Sequence, residues 1–285
     1  MTGTLYICAT PIGNLGDMTP RAVEVLKSVD LIAAEDTRNS LKLLNHFDIH
    51  TPMTAYHEFN RFEKAEELVR AMQEGKNVAC ITDAGMPGIS DPGEELVKQA
   101  AAAGIRVSVV PGASAAVSAL ALSGLSTRRF RFEGFLPKEK KEKETLLAEV
   151  KEDTATLVFY EAPHRLLKTL AELKGALGDR KAAVCRELTK IHEEVLRMRL
   201  SEAEAYFTAH EPKGEFVLVV EGRDSEEKKA ERAAGWQSLS IPEHVRMYEK
   251  AGESRKEAMK KAALDRNIPK RDVYRALLDA GNETQ

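Results

Sequence analysis

The fold is decided by residues 78–93, which read Val78-Ala79-Cys80-Ile81-Thr82-Asp83-Ala84-Gly85-Met86-Pro87-Gly88-Ile89-Ser90-Asp91-Pro92-Gly93. The first five form a short apolar run of strand length, and the next eleven contain three glycines and two prolines. A buried strand that runs into a rigid, glycine-rich loop is typical of the sheet edge at which open α/β folds bind ligands. We therefore expect a ligand site where this strand ends.

The same succession of apolar run and helical pattern recurs through residues 1–112. Strands are predicted at 5–9, 31–34, 78–82 and 107–110, and helices at 19–29, 37–45, 61–74 and 92–103. Thr19 is expected to cap the first helix, with Pro20 in its first turn. Alternation of this kind indicates an α/β domain with a mainly parallel sheet.

The rest of the chain divides into three parts. Residues 113–222 offer strands at 130–135, 156–160, 182–186, 195–199 and 216–220, with helices at 139–150, 164–176 and 201–208. Short connections there allow antiparallel pairing, so we expect a second domain that is α+β or has a mixed sheet. Residues 223–234 are charged and predict a linker, and residues 235–285 predict a small basic helical module with Pro269 in the first turn of its last helix.

The composition is that of a folded chain. Of its 285 residues 43% are hydrophobic and 31% charged, and the net charge is −3. No apolar run approaches the ~20 residues that a membrane span needs. Residues 1–10 show no basic segment ahead of a cleavable apolar stretch, so we expect a cytoplasmic protein. Cys8, Cys80 and Cys185 stand singly within apolar runs, which predicts buried free thiols and no metal site.

The small net charge hides a segregation of charge along the chain. Residues 128–143 hold seven basic and three acidic side chains, and residues 244–275 hold ten and five. Two basic patches are compatible with binding to a polyanion such as RNA. They are also compatible with ordinary solvated helix faces, and the second patch with a dimer arm.

Two further strands end in loops of small residues. The first runs into Thr10-Pro11-Ile12-Gly13-Asn14-Leu15, and the fourth closes with Pro111-Gly112-Ala113-Ser114-Ala115-Ala116. Gly13 permits a close backbone approach, although a tight turn without a ligand fits the same residues. The chain lacks the glycine fingerprints of dinucleotide and nucleoside-triphosphate sites. In the third loop, Asp83 can accept hydrogen bonds from an adenosyl or amino-acid group, and Asp91 is expected to cap the following helix.

Seven motifs, in one order, carry a resemblance to a known family. They are Ala9-Thr10-Pro11-Ile12-Gly13-Asn14-Leu15, Glu35-Asp36-Thr37-Arg38, Asp83-Ala84-Gly85-Met86-Pro87-Gly88, Pro111-Gly112-Ala113-Ser114-Ala115, Gly134-Phe135-Leu136-Pro137, Tyr160-Glu161-Ala162-Pro163-His164-Arg165 and Arg186-Glu187-Leu188-Thr189-Lys190. The chain thereby resembles the ribosomal small subunit methyltransferase I family of the tetrapyrrole-methylase superfamily, which 2′-O-methylates a cytidine of 16S rRNA. The resemblance spans residues 5–222 and is much weaker after about 235.

The resemblance implies a two-domain α/β, tetrapyrrole-methylase-like fold, usually a homodimer, with S-adenosylmethionine in the cleft between the domains. Motif matching places the cofactor against Ile12, Gly13, Asp83, Gly85, Met86, Gly88, Ser114, Ala115, Ala162 and Leu188. The family's third loop usually reads Asp-Ala-Gly-Thr-Pro, and Met86 stands here in place of the threonine. A backbone contact would survive that change, whereas a hydroxyl contact would be lost.

Methyl transfer from a sulfonium to a ribose hydroxyl is an in-line displacement. Orientation can lower such a barrier by roughly 7–11 kcal/mol, whereas a general base adds about 10²- to 10⁴-fold, so positioning should be the larger contribution. The candidate catalytic residues are Glu35, Asp36, Arg38 and Lys190, with His57 as a further base. One acid could accept the hydroxyl proton while Arg38 holds a phosphate. Alternatively, Asp36 caps the next helix while Arg38 pairs with an acid, and Lys190 is an ordinary salt-bridged residue.

The partner expected from the resemblance is 16S rRNA in the small ribosomal subunit. Contacts to it are expected from the basic residues Arg128, Arg129, Arg131, Lys138, Lys140, Lys141, Arg165, Arg255, Lys256, Lys260, Lys261, Lys270 and Arg271. Two other functions remain open at this point. A tetrapyrrole methyltransferase would share the cofactor cleft without needing the basic patches, and a non-catalytic RNA-binding protein would use the patches without the cofactor.

Overall fold

The computed structural model describes residues 2–226, residue 230 and residues 235–282. The chain separates into two compact units, Met1–Gly222 and Arg223–Gln285. The first unit contains two five-stranded sheets. The described part of the second unit is helical.

The first sheet is wholly parallel. Its strands are β1 (Thr4–Cys8), β2 (Leu31–Ala34), β3 (Met53–Ala55), β4 (Val78–Ile81) and β5 (Arg106–Val110), in the order β3-β2-β4-β1-β5. The helices between them are α1 (Pro20–Ser28), α2 (Thr37–His46), α3 (Arg61–Gln73) and α4 (Gly93–Ala102). Because all five strands run the same way, the loops that follow them meet at one edge, where open α/β sheets bind ligands.

Both faces of this sheet are buried. Leu5 of β1 packs with Leu68 of α3 and Leu96 of α4 on one face. Ile32 of β2 packs with Leu26 of α1 on the other. Each such fully buried leucine or isoleucine stabilises the fold by about 1.5–3 kcal/mol relative to an exposed one. This two-sided core holds the strand ends, and therefore the loops, in fixed positions.

The second sheet is mixed. It contains β6 (Phe130–Phe135), β7 (Thr156–Glu161), β8 (Lys181–Arg186), β9 (Glu194–Arg199) and β10 (Phe216–Val220), in the order β6-β7-β10-β8-β9. Only the β6–β7 pair is parallel. One face is covered by α6 (Lys140–Lys151), α7 (Leu166–Leu177) and α8 (Leu200–Ala209), and the other by α5 (Ala115–Leu122). The predicted combination of a parallel and a mixed sheet is confirmed.

Two elements of the first unit escape the sequence patterns. The strand β3 has three residues and directly follows Pro52, so no apolar run announces it. The helix α5 consists almost wholly of small apolar residues and therefore shows no amphipathic period. The start of α1 is confirmed as predicted, since the Thr19 side chain accepts from the Ala22 amide and Pro20 is the first helical residue.

The three cysteines are free and buried, as predicted. Burial raises the pKa of the Cys8 thiol to about 12 and that of Cys185 to about 11. Such thiols stay protonated near neutral pH and serve as small apolar core residues.

The second unit contains the helices α9 (Ile241–Lys250), α10 (Arg255–Asp265) and α11 (Lys270–Asn282). Val245, Ala258, Ala262 and Val273 form their shared core. Pro269 immediately precedes α11, so its prediction within the first turn is wrong by one residue. Within the described ranges, no helix combines the length and apolar content that crossing a membrane requires.

Candidate active site

A cavity of about 420 Å³ lies in the first unit, between the carboxyl edge of the parallel sheet and the mixed sheet. Its walls come from loops of both halves of the unit. The lining includes Ile12, Glu35, Thr82, Asp83, Gly85, Met86, Ile89, Asp91, Ser114, Ala115, Phe135, Tyr160, Ala162, Leu188, Glu215 and Val217. The site expected where β4 ends is therefore a real cavity.

The loops that follow β1 and β4 are joined directly. Thr10 and Gly85 exchange two backbone hydrogen bonds, of 2.9 and 3.2 Å, and the Thr10 hydroxyl donates to the Thr82 carbonyl at 3.1 Å. Gly85 has φ +88°, and a Cβ there would lie 3.3 Å from the Ile12 side chain. Only glycine adopts this conformation without strain. The join fixes Ile12 and Gly85 as one wall of the cavity.

Asp91 shapes the other end of the β4 loop. Its Oδ1 accepts from the amides of Gly88 at 2.9 Å and Gly93 at 2.7 Å, and its Oδ2 accepts from Ile89 at 3.3 Å. Asp91 was expected to cap α4, but the N-cap residue is Pro92. Asp91 instead lies one residue earlier and binds amides of both the loop and the first residue of the helix. A buried tyrosine, Tyr56, adds a hydrogen bond from its hydroxyl to the Pro92 carbonyl at 2.8 Å.

Two carboxylates lie together at the cavity floor. Glu35 Oε2 accepts from the Thr82 hydroxyl at 2.5 Å and from the Asp83 amide at 3.5 Å. The Asp83 carboxylate accepts from the Asp36 amide at 3.2 Å and the Asn39 side chain at 3.4 Å. Burial, reinforced by the nearby Glu35, raises the pKa of Asp83 above its ordinary value. A cationic group bound beside Asp83 would relieve this cost.

Asp36 and Arg38 are paired with each other at the start of α2. The Asp36 carboxylate accepts from the Arg38 amide at 2.9 Å and from its guanidinium at 2.8 and 3.2 Å. The guanidinium hydrogen bonds lower the pKa of Asp36 to about 2. The Arg38 side chain is 88% exposed, and neither residue is in the cavity lining. The sequence left two interpretations open for these residues. The geometry is that of the second one, in which Asp36 caps α2 and Arg38 pairs with an acid.

Lys190 lies next to the cavity without lining it, and it contacts the lining residue Glu215. Its side chain lies over Gly13, where an added Cβ would come within 2.5 Å of Lys190 Cγ. Its Nζ donates to Glu187 at 3.0 Å and Glu215 at 2.9 Å. Burial alone would lower the pKa of Lys190, but the two carboxylates outweigh it and raise that pKa above its ordinary value. Lys190 is therefore protonated near neutral pH and accepts no proton there.

On the opposite side, a buried ion pair supports the wall that carries Ala162. Glu161 accepts from the Ala162 amide at 2.8 Å and from the Thr169 hydroxyl. Arg165 lies 3.5 Å from Glu161 and donates to the Leu136 carbonyl at 2.6 Å. Arg165 was expected to contact RNA, but its side chain is committed to this internal network.

Arg131, a second predicted RNA contact, is surrounded by acids. Its guanidinium pairs with Glu133, with Glu149 at 3.3 Å and with Asp153 at 3.8 Å. Three carboxylates around one guanidinium leave no net positive charge for a phosphate. The expectation that Arg131 contacts RNA is not favoured by this geometry.

The structure brings most of the predicted cofactor residues together. Eight line the cavity, namely Ile12, Asp83, Gly85, Met86, Ser114, Ala115, Ala162 and Leu188. The other two, Gly13 and Gly88, do not line the cavity. Gly13 is covered by the Lys190 side chain, and Gly88 lies in the loop held by Asp91. Of the four predicted catalytic residues, Glu35 is in the lining.

Several lining residues were not predicted from the sequence. Phe135 and Tyr160 form an aromatic side of the cavity, with ring centroids 5.7 Å apart. Glu215 directly precedes β10, and Val217 lies within that strand. Phe135 and Tyr160 do lie within motifs that carry the resemblance, which was a usable signal. Glu215 and Val217 had none, because only sheet pairing brings β10 between β7 and β8.

The sequence and the fold match known methyltransferases. The family described as Tetrapyrrole (Corrin/Porphyrin) Methylases matches residues 4–204. A protein named ribosomal RNA small subunit methyltransferase I from Halalkalibacterium halodurans is 52% identical over 272 residues, 95% of this chain and 93% of the relative. A protein of the same name from Bacillus subtilis is 49% identical, covering 96% and 94%. The chain belongs to the ribosomal RNA small subunit methyltransferase I family.

A third relative and two solved structures each match 78% of this chain. The Thermotoga maritima protein of the same name is 45% identical over 222 residues, which are 78% of this chain and 100% of that relative. Solved structures of diphthine synthase (TM-score 0.62, 16% identity, 78% and 90% covered) and of the methyltransferase CobJ (TM-score 0.58, 18% identity, 78% and 95% covered) share the fold. At these identities the structures establish the fold alone.

As a member of this family, the chain is a methyltransferase that uses S-adenosylmethionine. The cavity suits this cofactor, since about 420 Å³ lies within the roughly 300–1,000 Å³ of small-molecule pockets. Ile12, Leu188 and Val217 offer apolar surface for an adenine, and Asp83 offers a carboxylate for a cationic group. Among the described residues, no three His, Cys, Asp or Glu side chains are grouped to hold a metal ion.

Proposed function

We propose that this chain methylates the 2′-hydroxyl of a cytidine in 16S rRNA and acts on the small ribosomal subunit. The observation that carries the proposal is the 52% identity, over 95% of the chain, to a protein named ribosomal RNA small subunit methyltransferase I. The cavity supports it, because its open side is formed by exposed side chains of both halves, Ile89 and Phe135. A macromolecular substrate can reach such a rim.

The eight predicted cofactor residues that line the cavity are proposed to hold the cofactor, through apolar, backbone and hydrogen-bonding contacts. Ile12, Leu188 and Ala162 provide apolar and backbone contacts, and Ser114 with Ala115 forms the small-residue start of α5. Asp83 accepts hydrogen bonds from the polar end of the cofactor. When bound, S-adenosylmethionine supplies a methyl group on a cationic sulfonium for in-line transfer. Met86 contributes an apolar wall, since its side chain packs against the core beneath the loop.

The residues of this chain contribute mainly alignment. Glu35, fixed by Thr82 at 2.5 Å and placed in the cavity, is the proposed acceptor for the proton of the ribose hydroxyl. Lys190 is proposed as a positioning residue, because it bridges Glu187 and Glu215 while covering Gly13. Arg38 is proposed to meet a substrate phosphate from the exposed start of α2, with Asp36 holding the guanidinium in place.

The chain is also proposed to act as a homodimer in the cytoplasm, where its ribosomal substrate resides. Support for the dimer comes from exposed apolar side chains on the edge strand β5 and the following helix α5. Val109 is 50% and Val117 is 55% exposed, and Val107 and Leu122 are exposed beside them in sequence. Exposed apolar groups of this kind mark association surfaces. Sedimentation velocity should show a dimer that V109D/V117D converts to a monomer; an unchanged sedimentation coefficient would contradict this surface.

Methyl transfer from radiolabelled S-adenosylmethionine tests the proposed reaction. Small ribosomal subunits, protein-free 16S rRNA and a tetrapyrrole are offered in parallel, with Glu35→Gln as the matched variant. We expect label in 16S rRNA, at an alkali-resistant cytidine, and a loss of turnover in Glu35→Gln of about 10²-fold or more with cofactor affinity kept. Wild-type turnover in that variant would remove Glu35 from the proton's path.

A further inference from the structure

Two helices of the helical unit carry exposed basic side chains, and we infer that this basic surface docks on the phosphate backbone of the substrate RNA. The face is defined by six exposed side chains of α10 and α11: Arg255, Lys256, Lys260, Lys270, Arg271 and Arg275. It is called the α10–α11 face below. The inference rests on the proposed function and names a part of the chain, separate from the cavity lining, that binds the RNA.

The α10–α11 face owes its charge to a sorting of acids and bases within the unit. The Asp265 side chain is buried, with 7% of its surface exposed. Its carboxylate accepts a hydrogen bond from the Tyr248 hydroxyl and lies 3.4 Å from His244 Nε2. Glu253 is paired with Lys261.

Two further acids lie beside the face, since Glu257 is 3.6 Å from Lys260 and Asp272 is 3.5 Å from Arg271. Against six basic side chains, these two carboxylates leave a surplus of positive charge.

Two bases of the unit are left out of the face because their side chains are only partly exposed and make internal contacts. Arg266 donates to His244 Nδ1 at 3.1 Å and to the carbonyls of Trp236 and Leu239, so it ties the segment before α9 to the end of α10. Lys261 is held by Glu253 and lies over the Tyr248 ring. Lys261 was among the RNA contacts expected from the sequence, but its ammonium is paired with Glu253 and is therefore not counted in the face.

The helix α11 is oriented to present its first half. Val273 is fully buried and Leu277 packs beside the core, which turns Lys270, Arg271 and Arg275 outward. Tyr274 is 56% exposed on the same stripe. Four residues join α10 to α11, a connection of the length that helix-turn-helix proteins use to offer a second helix to nucleic acid. An exposed aromatic among bases adds a surface on which a nucleotide base can stack.

RNA is the partner that fits this chemistry. A row of bases with an aromatic side chain suits phosphates and unpaired bases, whereas a protein partner would call for an apolar centre. The first unit is expected to fold without the helical unit that carries the face. The Thermotoga maritima relative matches over 222 residues, which is its whole length, so a methyltransferase of this name exists at the size of the first unit alone.

The test uses the full-length chain with R271E/R275E, and with Y274A as a milder variant. Arg271 is 84% exposed at its side chain, and all three positions are on the surface, so thermal unfolding should be unchanged. We expect the KM for small subunits to rise about tenfold or more in R271E/R275E, with kcat and cofactor affinity within about twofold. The slope of log affinity for 16S rRNA against log salt should become shallower by about 1.5, because two phosphate contacts are lost.

The matched control is K27E/K98E, which reverses two exposed lysines on α1 and α4 of the first unit. It makes the same change in total charge and should leave the KM within about twofold. An equal rise in KM in both double variants would overturn the inference, since the effect would then be one of overall charge. A raised KM in R271E/R275E with an unchanged salt slope would also overturn it, in favour of a protein partner on the ribosome.

Direct binding separates this inference from the proposed function. Filter binding of 16S rRNA reports the α10–α11 face without turnover. A wild-type chain that binds rRNA through this face but transfers no methyl group would contradict the proposed function and support the inference. Equal binding by wild type and R271E/R275E would overturn the inference, whatever the turnover.

Discussion

Asp83 is the residue whose environment bears most directly on cofactor binding. Burial and the neighbouring Glu35 raise its pKa, so the ionised carboxylate of the free protein is disfavoured. A cationic group of the cofactor stabilises that ionised form. Affinity for S-adenosylmethionine should therefore increase as the pH rises through the raised pKa of Asp83, and fall as the pH is lowered through it.

Asp83→Asn should lower cofactor affinity about tenfold at pH 7, equivalent to about 1.4 kcal/mol, and should remove this pH dependence. The substitution keeps the shape of the side chain and its contact with the Asp36 amide. Isothermal titration calorimetry at several pH values measures both effects. An affinity in Asp83→Asn equal to that of the wild type would show that Asp83 only supports the loop.

Lys190 should act through its position and not through proton transfer. Lys190→Met keeps the apolar chain over Gly13 and removes the bridge between Glu187 and Glu215. We expect weaker cofactor binding, by about threefold to tenfold, and an unchanged pH profile of kcat, because the raised pKa keeps Lys190 protonated. Steady-state kinetics between pH 6 and 9 check this.

If the pH profile of kcat loses one of its limbs in Lys190→Met, then Lys190 transfers a proton, and the positioning role is contradicted. Gly13→Ala is the companion variant. Its Cβ would displace Lys190, so it should reproduce the loss of affinity seen in Lys190→Met while leaving the lysine charge in place.

The sequence was informative about single residues wherever a local rule or a family motif applied. Thr19 and Pro20 mark a helix start by local chemistry, and Asp83 and Gly85 follow a buried strand within a motif. The pairing of Asp36 with Arg38 was one of two outcomes left open, because the sequence does not tell which neighbour an exposed guanidinium meets. Glu215 could not be foreseen, since its place depends on sheet order.

At the scale of elements, the loop after β4 depends on Asp91. Three amides of the loop and helix start donate to its carboxylate. Asp91→Ala should lower the free energy of unfolding by about 2 kcal/mol and weaken cofactor binding, because the freed amides lose a charged acceptor. Urea denaturation measures the first effect and calorimetry the second.

Asp91→Asn is the matched control for this loop. Its remaining carbonyl oxygen can still accept from Gly88 and Gly93, so it should lose less than half as much stability as Asp91→Ala. If both variants unfold at the wild-type urea concentration, the loop is held by its glycines and prolines alone.

Elements were predictable where their pattern was strong. Apolar runs located β1, β2, β4 and the more exposed edge strand β5, and amphipathic periods located the helices packed on the sheet. The strand β3 is too short to show a pattern, and α5 is too uniformly apolar to show a helical one. The order of the strands, which brings β10 between β7 and β8, is a tertiary property that no local pattern contains.

At the scale of the whole molecule, chemistry and RNA docking are assigned to different units. Residues 1–222 contain both sheets and the whole cavity lining. A chain ended after Gly222 should therefore unfold cooperatively and bind S-adenosylmethionine within about twofold of the full chain. Its KM for small subunits should rise at least as much as in R271E/R275E. Loss of cofactor binding in the shortened chain would show that the cavity needs the helical unit.

The central claim is that this cavity delivers a methyl group to small-subunit RNA. The most direct measurement is mass spectrometry of nucleosides from 16S rRNA after incubation of unmethylated small subunits with the protein and isotopically labelled S-adenosylmethionine. We expect one labelled 2′-O-methylcytidine per subunit, reduced about 10²-fold or more by Glu35→Gln. Label found only in an added tetrapyrrole, or on a base instead of a ribose, would contradict it.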